Sequence, residues 1–137
     1  MSFVTLIRVG YCLMCGVFAS TALSQDKLYQ CTVKQILDVN DSGVLVPMKG
    51  IGATHIGDTF TINRETGELW GRWINTKYAE SFKLVDGGGT SNYLKINGVI
   101  KHWHPTVFFL QVVDPESKQV YAFSGYFKYH HIAGTCK

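Results

Sequence analysis

Hydrophobic residues alternate with polar ones along much of the chain after residue 25, and this period of two restricts the folds open to it. The clearest run is residues 29–39, where one parity carries Tyr29, Cys31, Val33, Leu37 and Val39. Successive side chains of a β-strand point to opposite faces, so the pattern predicts a half-buried strand with Cys31 facing the core. Gln35 and Ile36 break the alternation, which indicates a β-bulge.

Turn residues divide the rest of the chain into short strands, and no segment shows a convincing helical period. Asn97-Gly98 is the strongest local hairpin signal and predicts a turn between strands at 93–96 and 99–103. Gly67 suits the left-handed position of another short hairpin loop. Eight or nine short strands joined by tight turns predict an all-β fold, either a small antiparallel barrel or a two-sheet sandwich.

Length and composition fit one packed domain. The chain has 137 residues, of which 46% are hydrophobic and 17% charged, which favours a globular core over disorder. The formal charge is only +3 and no two basic residues are adjacent. A nucleic-acid partner is therefore not expected, because proteins that bind nucleic acids carry clusters of basic residues.

Residues 1–24 have the organisation of a secretory signal peptide. Arg8 is their single charged residue, and an uncharged, largely apolar run follows over 9–23. Ala22-Leu23-Ser24 places small residues where a signal peptidase reads them. We expect cleavage after Ser24, leaving 25–137 as a single periplasmic or secreted β domain.

Two membrane-anchored alternatives compete with cleavage. One is an uncleaved transmembrane anchor, although the apolar run is shorter than the roughly 20 residues that cross a bilayer. The other is a lipid anchor on Cys12 or Cys15, neither of which has the usual flanking residues. We therefore expect no stable membrane anchor in the mature protein.

Two cysteines remain after cleavage, Cys31 and Cys136, one near each end of the domain. In an oxidising compartment such a pair predicts one disulfide. The alternative is two buried free thiols.

Histidines give the best chemical lead. His102 and His104 lie two apart on a predicted strand, so both side chains leave the same face. This spacing suits zinc or copper, with one residue of the pair His130 and His131 as a third ligand. The competing interpretation is that all four are surface or strand-end histidines.

Aromatic residues are dense, and three tryptophans are candidate contacts for a ligand or partner: Trp70, Trp73 and Trp103. Exposed aromatic rings bind lipids, glycans or protein grooves, whereas most aromatic side chains are core packing. Trp70 and Trp73 have opposite strand parity, so at least one should be less buried. The sequence has no catalytic elbow or phosphate loop, and no reactive thiol remains once the disulfide forms, so we do not expect an enzyme.

A hairpin pattern carries one resemblance. Phe60-x-Ile62-Asn63-Arg64-x-Thr66-Gly67-x-Leu69-x-Gly71, with a closing Gly134-Thr135-Cys136, resembles small uncharacterised exported bacterial proteins. That resemblance implies a bacterial periplasmic or extracellular location and no particular activity.

A second resemblance is one of outline. The Tyr29-Gln30-Cys31 start and the terminal cysteine are similar to periplasmic lysozyme inhibitors of the small-barrel kind, which carry a Ser-Gly-x-x-Tyr-type loop in mid-domain. Here the nearest segment is 124–129, which begins Ser-Gly-Tyr and lies near the end of the chain.

The combined expectation is an exported binding or interaction protein. Its partner would be an envelope or extracellular protein or a small apolar ligand, engaged through hairpin loops or exposed aromatic side chains. A histidine-based metal-binding protein or small metallo-hydrolase, and an inhibitor of lysozyme, are the alternatives.

Overall fold

The computed structural model describes residues 27–87, 92–101, 105–113 and 120–137. Within these ranges nine strands form one antiparallel sheet, which confirms the predicted all-β fold. Two short 3₁₀ helices, Gly50–His55 and Thr76–Tyr78, lie between strands. The strands are β1 Leu28–Val39, β2 Leu45–Pro47, β3 Thr59–Asn63, β4 Leu69–Gly71, β5 Ala79–Gly87, β6 Tyr93–Ile100, β7 Thr106–Val113, β8 Tyr121–Phe127 and β9 His130–Cys136.

The sheet curls into a half-barrel with the order β4-β3-β1-β9-β8-β7-β6-β5, and β2 pairs with β1. The first and last strands are neighbours near the middle of the sheet. Cys31 is paired directly with Cys136, and the two form the predicted disulfide. The edges are β4 and β5, and no ladder joins them among the residues that the structure describes.

Strand β1 shows how one bulge redirects a strand. Tyr29, Cys31 and Val33 face the core as predicted. The register against β9 shifts between Val33 and Gln35, so the next buried residue is Ile36. Leu37 and Val39 therefore leave the core side, and the parity predicted for them is wrong beyond the bulge.

The predicted turn at Asn97-Gly98 is also wrong, because both residues lie inside β6. Gly98 pairs with Phe108, and a Cβ at position 98 would overlap the Phe108 ring and approach the carbonyl oxygen of Ser81. The glycine makes room for a core ring rather than forming a hairpin loop.

Side chains cover part of the outer edge of β4. The buried Thr76 hydroxyl accepts a hydrogen bond from the Leu69 N–H at 3.1 Å and donates to the Leu69 carbonyl oxygen at 3.3 Å. Asn75 Nδ2 donates to the Gly71 carbonyl oxygen at 3.1 Å. These hydrogen bonds satisfy backbone groups of β4 that would otherwise need a neighbouring strand.

Replacing Thr76 by valine is expected to lower the free energy of unfolding by about 1–3 kcal/mol, because two buried backbone groups of Leu69 lose their partner while the shape is kept. Urea unfolding measures it. The control is Thr54→Val, since the Thr54 hydroxyl donates to the Ile51 carbonyl oxygen at an exposed site, where the loss should stay below about 0.5 kcal/mol. Equal effects of the two changes would contradict this role.

Within the described ranges, no helix has the length and apolar character that a bilayer crossing needs. The predicted signal peptide, residues 1–24, lies outside those ranges and stays a prediction.

Candidate functional site

A cleft of about 350 Å³ opens at one end of the half-barrel. It lies where β6 and β8 end and where β7 and β9 begin, beside the helix Gly50–His55. Its lining is mostly apolar or aromatic, with two imidazoles, and includes Met48, Ile51, His55, Trp73, Ile100 and His130. The fold therefore gathers residues from distant parts of the sequence into one concave surface.

Trp73 and His55 form one wall of the cleft. Trp73 is only 9% exposed and packs edge-on against Phe127, with ring centroids 5.7 Å apart. The His55 ring stacks on Trp73 at 4.4 Å with an interplanar angle of 6°, and its Nδ1 lies 2.9 Å from Asp58 Oδ2. Because Asp58 engages Nδ1, a ligand would meet His55 through Nε2.

The turn between β8 and β9 forms the rim, and its backbone is strained. Lys128 and Tyr129 have φ of +47° and +76°, a left-handed conformation that two-residue hairpin loops usually give to Asn-Gly or Gly. Holding such residues there costs about 1–3 kcal/mol each. The Lys128 ammonium lies 5.7 Å from the centroid of the Phe127 ring. The strained turn therefore places a cation, Lys128, and an aromatic residue, Tyr129, in the lining of the cleft.

His130 lines the same cleft and carries a buried polar atom. It is the cross-strand partner of Phe127, which is a core residue, so the two side chains leave the same face of the sheet. Its Nδ1 is the one buried side-chain nitrogen or oxygen found without a hydrogen-bond partner in the described part of the chain. An unpaired buried polar group costs about 1–3 kcal/mol, so His130 is held in the cleft lining at the expense of stability.

His130 and His131, two of the four histidines predicted as metal ligands, lie on opposite faces of the sheet. His131 lies on the outer face, 5.2 Å from the Tyr126 ring, whereas His130 lines the cleft. His102 and His104 lie outside the described residues. Among the residues that are described, no three His, Cys, Asp or Glu side chains are placed to hold a metal ion, so the metal site stays a prediction that depends on positions 102 and 104.

The tryptophans predicted as contacts also fall in different places. Trp73 lines the cleft, and Trp70 lies on the outer face with 44% of its surface exposed. The two differ in burial as expected, but Trp73 lies beyond the end of β4 at Gly71 and so does not owe its burial to strand parity. Trp103 lies outside the described residues.

Sequence reasoning missed His55 and the Lys128-Tyr129 turn. His55 lies in a glycine-rich stretch, with glycines at 50, 52 and 57, and this composition indicates only a loop. The signal that would have found it is the His55-x-x-Asp58 spacing, which the β-turn after the 3₁₀ helix brings together: the Asp58 N–H donates to the His55 carbonyl oxygen at 3.1 Å. The turn carries no Asn, Gly or Pro, so turn chemistry gave no sign of it.

No protein-family model, curated protein or solved structure matches the chain. The resemblance to small exported bacterial proteins stays a prediction. Gly67 adopts the left-handed conformation predicted for its hairpin loop, with φ of +77°. The segment compared with an inhibitory loop begins inside a strand, since Ser124 and Gly125 belong to β8.

Proposed function

We propose that this protein is a non-enzymatic binding module whose cleft takes a small amphipathic anion. The observation that carries the proposal is a cleft with a mostly apolar lining that also includes Lys128 and His130, whose buried Nδ1 has no hydrogen-bond partner. A ligand with an apolar body and an acidic head complements both parts of that surface.

The apolar part of the cleft suits a short aliphatic or aromatic body. A volume of about 350 Å³ is at the small end of the range for ligand pockets, about 300–1,000 Å³. Ile100 and Trp73 are fixed by core packing, while Met48 is unbranched and adapts to the shape of its neighbour. Burial of the body against these side chains supplies most of the affinity.

The polar part selects the head group. A carboxylate oxygen accepts from Nδ1–H of His130 in the tautomer that carries the proton there, and the Lys128 ammonium adds an opposite charge. Charge-assisted hydrogen bonds of this kind are worth about 1.5–3 kcal/mol. The head group therefore decides specificity, and the apolar body decides most of the affinity.

Two observations support a site of action outside the cytoplasm. The Cys31–Cys136 disulfide is a feature of proteins from oxidising compartments. The apolar run over 9–23, followed by Ala22-Leu23-Ser24, has the form of a cleavable signal. We place the working protein in a bacterial periplasm or outside the cell.

Titration with octanoate, with 1-octanol as the uncharged ligand of equal length, tests the proposal by calorimetry. Octanoate is expected to bind the wild type at least ten times more tightly than octanol. His130→Phe should weaken octanoate binding by about 10- to 100-fold, the equivalent of the lost charge-assisted hydrogen bond, and leave octanol nearly unchanged. Stability should not fall, because the change removes an unpaired buried nitrogen.

His131→Phe is the matched control, since the neighbouring residue faces the opposite side of the sheet. Equal binding of the two ligands, or unchanged octanoate binding by His130→Phe, would contradict the proposal. Elemental analysis of untagged protein separates it from the metal hypothesis. Near-stoichiometric zinc or copper in the wild type, lost in His102→Ala, would favour a metal site over the proposed anion site.

A further inference from the structure

A second concave surface, of about 750 Å³, lies on the outer face of strands β4, β3, β1 and β9. The registers align its polar side chains in two parallel rows. Thr59, Thr32 and Thr135 form one row, because Thr32 is paired with Thr59 on one side and Thr135 on the other. Trp70, Thr61 and Gln30 form the second row by the same pairing.

The threonine row is a rigid array of hydroxyl groups. Adjacent strands are about 4.8 Å apart, so the three hydroxyls repeat at a distance close to the length of one pyranose residue. Threonine is β-branched and restricted at χ1, which lowers the entropy lost when its hydroxyl is fixed by a ligand. Each hydroxyl donates one hydrogen bond and accepts others, as the hydroxyls of a sugar ring do.

Trp70 adds an exposed flat ring at one end of the second row. Its 44% exposure is large for a tryptophan on a rigid sheet, and it is the cross-strand partner of Thr61, which lies in the same groove. An indole beside a row of hydroxyls presents an apolar face with polar groups at its edge. This combination matches a sugar ring, which has an apolar face and a polar rim.

The charges of the groove favour an acidic ligand. Arg72 and Lys137 line it and are exposed. Asp58 is the one acidic side chain in the lining, and its Oδ2 lies 2.9 Å from His55 Nδ1, so the two cationic side chains outnumber it. An arginine fork is the side chain best suited to a carboxylate.

We propose that this outer groove, independently of the cleft, binds an acidic saccharide chain that runs across the strands. One sugar ring stacks on Trp70, ring hydroxyls bond the threonine row, and a uronate carboxylate pairs with Arg72. A peptide added as an extra strand fits this surface poorly, because β1, β3 and β9 are flanked on both sides and offer no free strand edge.

The test uses full-length mature protein and a hyaluronan hexasaccharide, with chitohexaose as the neutral β-linked control. The acidic hexamer is expected to bind at least fivefold more tightly than the neutral one at low salt. Trp70→Ala should weaken both by at least tenfold and Trp70→Phe by less. Arg72→Gln should weaken only the acidic hexamer, and the preference should shrink as salt is raised.

Tyr78→Ala is the matched control, because Tyr78 is an exposed aromatic residue, 57% accessible, that does not line the groove; it should bind as the wild type does. Equal binding of both hexamers, unaffected by Arg72→Gln, would overturn the acidic class. Absence of binding by either hexamer at millimolar concentration, or binding that Trp70→Ala leaves unchanged, would overturn the saccharide site. His130→Phe should bind both hexamers normally, so this outcome is independent of the cleft.

Discussion

Replacing Cys31 and Cys136 together by alanine is expected to lower the free energy of unfolding by about 3–5 kcal/mol. The bond joins residues 105 positions apart in the chain, and a cross-link that closes a loop of this length restricts the unfolded chain strongly. It also ties β1 to β9, the strands at the two ends of the domain, in the middle of the sheet. A domain of this size has only about 5–15 kcal/mol of stability in total, so the loss removes a large fraction of it.

Urea unfolding of oxidised wild type, reduced wild type and the double alanine variant measures this effect. Alanine is preferred to serine because both sulfurs are buried, and a buried serine hydroxyl would need a partner. The reduced wild type should lose nearly as much stability as the variant. A loss below about 1 kcal/mol in both would show that the β1–β9 ladder holds the ends together without the bond.

The local alternation of apolar and polar residues predicted most of the strands, because each strand has one face toward the core and one toward solvent. It failed where long-range packing decided the outcome. Asn97-Gly98 has the composition of a turn, yet the glycine lies opposite Phe108 inside β6. The residues around Gly98 in the sequence give no indication that the ring of Phe108 packs against it from another strand.

The site was predictable in parts. Trp73 and His130 are both among the residues predicted from the sequence, but the burial of Trp73 does not follow from strand parity, because β4 ends at Gly71. Their convergence with His55 at one end of the half-barrel depends on which strands are neighbours in the sheet. Sequence pattern fixes which face a residue takes but not which strand lies beside it.

Gly134→Ala is expected to lower the free energy of unfolding by about 3 kcal/mol, an unusually large loss for one added methyl group. Gly134 pairs with Val33 on one side and Phe123 on the other. A Cβ there would overlap the carbonyl oxygen of Thr32 and the ring of Phe123. The first is backbone in a strand flanked on both sides, and the second packs edge-on against Phe60 with ring centroids 5.2 Å apart, so neither moves without cost.

The control is Gly43→Ala, which separates steric overlap from backbone strain. Gly43 has φ of +76° and nothing within 4 Å of its would-be Cβ, so alanine there should cost only about 1–2 kcal/mol through the left-handed conformation. Urea midpoints of the two variants give the comparison. Equal losses would mean that β9 shifts to accept the methyl group.

The disulfide determines how far β9 shifts, because Cys136 is two residues from Gly134 and is bonded to the strand that the new Cβ would strike. Gly134→Ala should therefore cost at least 1 kcal/mol less in the double alanine background than in the oxidised protein, a coupling in the range seen for contacting sites. Without the bond, β9 is able to move away from the Thr32 carbonyl. Strict additivity in this double-mutant cycle would instead place the overlap entirely on the Phe123 ring, which packs the same in both backgrounds.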